Sequence, residues 1–104
     1  MAINISKLQG RFTNDPELRS TPDGVPVVNF VLAVSRPHYL CTDQQTADFI
    51  TCIAWRDRAT LIAANCKKGT LITIGGRLQS FSYVDKNGRK HCNQEVNITN
   101  IVFH

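Results

Sequence analysis

Asp48-Phe49-Ile50-Thr51-Cys52-Ile53-Ala54-Trp55 is the stretch around which this chain is organised. It alternates, and successive side chains of an extended strand point to opposite faces. Ile50, Cys52 and Ala54 share one face, small and apolar, which suits the interior of a closed sheet. Phe49, Thr51, Ile53 and Trp55 share the other, with Arg56 and Arg58 just beyond. That second face has two readings. It is a second core face, or it is an aromatic platform beside positive charge. The platform suits a single nucleic-acid strand, because bases stack on rings while phosphates meet Arg and Lys.

Working outward, 104 residues make one domain, 1–104, with one modest core. Apolar residues are 42% of the chain. No apolar run approaches the roughly 18 residues of a membrane helix. Met-Ala-Ile-Asn-Ile-Ser lacks the basic start and long apolar segment of a signal peptide, so a cytoplasmic location is expected. The net charge of +4 points weakly toward nucleic acid. Cys41, Cys52, Cys66 and Cys92 form no C-x-x-C pair, and without a secretory signal they read as free thiols. His91 and Cys92 adjoin, but no second pair has ligand spacing, so neither metal nor cofactor is expected.

The flanking segments read as further strands. Ala2 to Phe12 alternates with a slip near Leu8 to Gly10, which predicts a bulge or bend. Asn14 to Val25, with Asp15-Pro16 and Thr21-Pro22-Asp23-Gly24, predicts a loop in which Glu17 and Arg19 pair. Val27 to Val34 is a second strand with Val28, Phe30, Leu32 and Val34 on one face. Arg56 to Cys66 predicts a short helix with Leu61 and Ile62 recurring and Asp57 as its cap; Lys67-Lys68-Gly69 reads as the exit. Thr70 to Val84 is a long fourth strand in which Gly75-Gly76 marks a bulge or close backbone approach. Asp85-Lys86-Asn87-Gly88 is a hairpin turn. Arg89 to Phe103 is the fifth strand, with Val96, Ile98 and Val102 on one face. Three strands, one short helix and a hairpin are the element sequence of an all-β, five-stranded OB barrel.

The ordered set of segments resembles the bacterial single-stranded-DNA-binding proteins. It comprises Gly10-Arg11, Asp15-Pro16-Glu17-Leu18-Arg19, Thr21-Pro22-Asp23-Gly24, Val27 to Val34, Asp48-Phe49-Ile50 with Trp55, Lys67-Lys68-Gly69-Thr70, Gly76-Arg77-Leu78-Gln79, Tyr83 with Asp85 and Gly88, and Glu95-Val96. The resemblance implies an OB barrel that wraps single-stranded DNA without much sequence preference, as a homotetramer, with a dimer as runner-up. It implies base stacking at Phe49, Trp55 and Tyr83. The family's fourth stacking aromatic falls at His38, a departure, with Tyr39 one residue away; Phe81 stands where the family commonly has a basic or polar residue. Family members continue into a flexible tail with an acidic tip that recruits replication and repair enzymes, whereas this sequence stops at His104. The expectation is a DNA-binding core or a short branch of the family; primosomal replication protein B relatives are the alternative.

Arg11, Arg36, Arg56, Arg77 and Lys86 are the candidates for phosphate contacts, Arg77 with Asp48 or Asp85 as competing partners. Lys67, Lys68, Arg89 and Lys90 read as solvated charge. No nucleophile setting or paired carboxylates stand out, and His38, His91 and His104 lie in unrelated contexts, so an enzyme is not expected. A protein-interaction module is the remaining reading; it would make the aromatic face a protein interface.

Overall fold

The computed structural model describes residues 2–104; Met1, which heads the segment read above as no signal peptide, lies outside them. The elements are β1 (Ser6–Phe12), β2 (Glu17–Ser20), β3 (Pro26–Ser35), β4 (Ala47–Trp55), α1 (Asp57–Asn65), β5 (Leu71–Val84) and β6 (Lys90–Phe103). A 3-10 turn, His38–Leu40, lies between β3 and β4. The hydrogen-bonded order is β1-β5-β6-β4-β3-β2, and β1 pairs with β3 as well. That last pairing joins the ends. Five strands close a ring, and β2 is appended to β3.

The interior follows from the alternation. Val28, Phe30 and Leu32 of β3 meet Cys52 and Ala54 of β4, Ile72 and Ile74 of β5, and Val96 and Ile98 of β6 in one buried cluster. Ala59 and Ile62 of α1 join it from one side. Fully burying a side chain such as Ile62 contributes about 1.5–3 kcal/mol. Of the two recurring residues, Ile62 is buried and Leu61 exposed, because the helix turns its Ala59–Ile62 stripe inward.

Two glycines make closure feasible. A Cβ on Gly10 would lie 2.6 Å from the Ala33 carbonyl oxygen, at the point where β1 leaves β5 for β3. The register of β1 against β5 runs from Ser6 to Arg11 without the predicted slip, so Gly10 serves a close crossing and not a bulge. Gly76 lies against the Asn97 carbonyl, which also excludes a Cβ. The register of β5 against β6 shifts between Gly75 and Gly76, so Thr99 is an extra residue on β6. A one-residue shift flips every later side chain. Ile101 therefore packs on the core and Val102 is exposed, the reverse of the reading that placed Val102 with Val96 and Ile98.

Three local expectations are corrected. Glu17–Ser20 is a strand, not part of a loop, paired with β3 from Asn29 to Pro26. All four of its residues are exposed, so no apolar alternation announces it. Arg19 donates to the Asn29 side chain instead of pairing with Glu17. The residue capping α1 is Arg56, not Asp57, and no side chain caps the helix.

Candidate nucleic-acid interface

The register fixes which side chains share the outer face of the ring. Ile53 on β4 stands opposite Asn97 on β6, and Asn97 stands opposite Arg77 on β5. These positions point the same way. Counting by twos from them, Phe49 and Trp55 lie on the same side as Phe81 and Tyr83. The inner-facing partners Cys52 and Val96 are buried.

Phe49 is 65% exposed. Trp55 is half-buried at the end of β4, opposite Val27 of β3. Ile53 and Val27 are buried on this outer side, away from the main core cluster. The outer face of β4 is thus apolar and covered at one end and open at Phe49. Six residues of strand put the two rings' backbones about 20 Å apart. Tyr83 is 49% exposed and Phe81 also stands open. His38 and Tyr39 lie in the 3-10 turn and not in a strand, so the rule that neighbours take opposite faces does not apply there. Both are exposed, Tyr39 by 82%.

The candidate cations differ in how free they are. Arg36 is held by Asp48: its Nε and Nη2 donate to one carboxylate oxygen at 3.0 and 2.7 Å. That bond raises the guanidinium pKa further. Its Nη1 also donates to the Leu40 carbonyl, which ties the β3–β4 connection to the sheet. With Arg36 on Asp48 and His91 on Asp85, both competing partners of Arg77 are taken, and no ion pair involves Arg77 among the described residues. Arg11 donates to the Gly69 carbonyl and remains exposed. Arg56 is exposed where β4 turns into α1, with φ of 58°, the one positive φ outside glycine among the described residues. Its N–H donates to the Pro26 carbonyl, which fixes the turn. Lys86 is exposed in the hairpin turn. Glu95 is an acidic residue on this face, and it accepts a hydrogen bond from Gln79; Glu17 of β2, opposite Asn29, is another.

The sequence reading weighed His91 only for metal binding and catalysis, whereas the hairpin register places it opposite Tyr83. The two rings stack, with centroids 5.0 Å apart and planes 18° from parallel. His91 Nε2 lies 2.7 Å from Asp85 Oδ2, and since a carboxylate only accepts, the imidazole donates. The other Asp85 oxygen accepts from the N–H groups of Asn87 and Arg89 and closes the turn. The bond from His91 and then these N–H groups hold the Asp85 carboxyl below its ordinary pKa.

The face has binding chemistry: flat rings, cations and amide side chains. Of the thiols, Cys52 is buried and its pKa is pushed up to about 12 by desolvation, so it stays protonated. No group of three or more His, Cys, Asp or Glu is placed to hold a metal among the described residues. No helix among them is long and apolar enough to cross a membrane. A concavity of about 550 Å³ is lined in part by Asn4, Lys7, Thr73, Arg77 and Asn100 and by no Phe, Trp or Tyr.

Residues 3–104 match the model of the Single-strand binding protein family. A single-stranded DNA-binding protein of Halalkalibacterium halodurans is 45% identical over 101 residues, covering 97% of this chain and 60% of that protein. Single-stranded DNA-binding protein A of Bacillus subtilis is 41% identical over 101 residues, covering 97% of this chain and 59% of that one. Single-stranded DNA-binding protein 1 of Lactococcus lactis is 46% identical over 88 residues, covering 85% and 59%. The chain thus spans about three fifths of the length of these relatives. The match favours the first of the two families weighed from the sequence over the primosomal one. This chain belongs to the single-strand binding protein family, whose fold is the OB-fold.

Proposed function

We propose that this chain binds single-stranded DNA without strong sequence preference and protects exposed strands during replication, recombination or repair. The observation that carries this reading is the outer face of the ring, where Phe49, Trp55 and Tyr83 are turned to one side with Arg56, Arg77 and Lys86 about them. Rings contribute roughly 1–3 kcal/mol per stacked base and accept any base. Tyr39 adds a fourth ring from the β3–β4 connection, in preference to His38. Arg11 and Arg36 extend the cationic rim, Arg36 with its charge shared with Asp48.

The acting species is a homo-oligomer, a tetramer first and a dimer second. Exposed Ile3, Ile5, Val102 and Phe103 support self-association, since such apolar side chains gain by being covered. Anisotropy of labelled oligothymidine, against duplex of equal length, tests the function. Tight binding to the single strand alone is expected, weakening with salt by a log–log slope of about −0.7 per phosphate contact. Equal or absent binding to both would remove the reading.

A further inference from the structure

We infer that His91, anchored by Asp85, is a positioning residue that backs the ring of Tyr83 and leaves it one free face as the seat of a nucleobase. The inference rests on the single-strand reading above and assigns one of its seats. The cross-strand register sets His91 opposite Tyr83. The rings stack at 5.0 Å and 18°, so one face of Tyr83 is covered before any ligand arrives. A base can therefore reach only the other face, and its arrival completes a stack of base, Tyr83 and His91.

The imidazole has little freedom to move aside. Its Nε2–H donates to Asp85 Oδ2 at 2.7 Å, and Asp85 is itself fixed through two backbone N–H groups of its own turn. The ring that stacks and the carboxylate that holds it thus belong to one hairpin. A tyrosine already held flat forfeits less side-chain entropy when a base stacks on it. His91 is half-exposed and outside the core cluster, so its replacement leaves the fold intact.

The test is a double-mutant cycle read by anisotropy of labelled oligothymidine on the full chain, with thermal melts as a folding control. His91→Ala is expected to weaken binding about two- to tenfold, the range of an aromatic pair. His91→Phe, which keeps a ring but loses the bond to Asp85, is expected to restore part of it. In a Tyr83→Ala background, His91→Ala is expected to change nothing further, because its effect passes through Tyr83. An equal loss in both backgrounds, or none in either, would overturn the inference while wild-type binding stands. Absence of wild-type binding would instead remove the function on which it rests.

Discussion

Arg36, one residue past the end of β3, reaches back to Asp48 of β4, with two guanidinium nitrogens on a single carboxylate oxygen. The same arginine reaches the Leu40 carbonyl, so one side chain ties the Tyr39 turn to the strand that carries Phe49. The pair is partly open to solvent, and its attraction is screened accordingly. On the single-strand reading proposed above, Asp48 offsets a charge that Arg36 would otherwise offer to a phosphate.

Asp48→Asn should release that charge. Single-strand affinity should rise at low salt, and the slope of log affinity against log salt should steepen by about 0.7, the share of one phosphate contact. Titrations of oligothymidine at several salt concentrations check this. An unchanged slope would place Arg36 away from the strand.

Phe49→Ala and Trp55→Ala should part company in stability and agree in binding. Phe49 is open, so its loss should change stability by no more than about 0.5 kcal/mol. Trp55 is half-buried beside Val27, and its loss should cost about 1–2 kcal/mol in denaturant melts. Each should lose about 1–3 kcal/mol of single-strand binding.

Arg56→Gly separates strain from charge. A side chain at φ of 58° carries a cost of about 1–3 kcal/mol that glycine does not. The glycine variant should melt no lower than wild type, and Arg56→Ala should melt below it. Both variants should bind oligothymidine more weakly. A glycine variant that melts well below wild type would show that the turn depends on the arginine side chain.

Acid should loosen the hairpin through Asp85. Its carboxyl titrates below the ordinary range because His91 and two N–H groups hold the charged form. A carboxylate with a depressed native pKa stabilises the fold above the unfolded value of about 3.9, and that contribution is lost as pH falls through the native value. Melts between about pH 5 and 2 should therefore fall more steeply for wild type than for Asp85→Asn.

The ring was legible because its interior obeys a period of two. Cys52 and Ala54, Val28 and Leu32, and Val96 and Ile98 are buried where alternation places them. Gly75-Gly76 announced the bulge but not which strand held the extra residue, so Val102 and Ile101 exchanged faces. Glu17–Ser20 left no trace in hydrophobicity, because an edge strand exposed throughout is made by its neighbour's hydrogen bonds. At the candidate site, strand residues such as Phe49 and Tyr83 could be assigned a side from parity alone. His38 and Tyr39 could not, since a 3-10 turn has no two-residue period. His91 was available by counting back across the Asp85–Gly88 turn, but its hold on Asp85 is a contact that pattern does not carry.

The most direct measurement follows the emission of Trp55, the chain's one tryptophan, while oligothymidine or duplex DNA is added at low and high salt. Strong quenching by the single strand alone, weaker at high salt, is the predicted result, and it would place a base on the outer face of β4. Binding without quenching would move the strand off Trp55, and no binding to either form would contradict the account and leave the aromatic face as a protein interface.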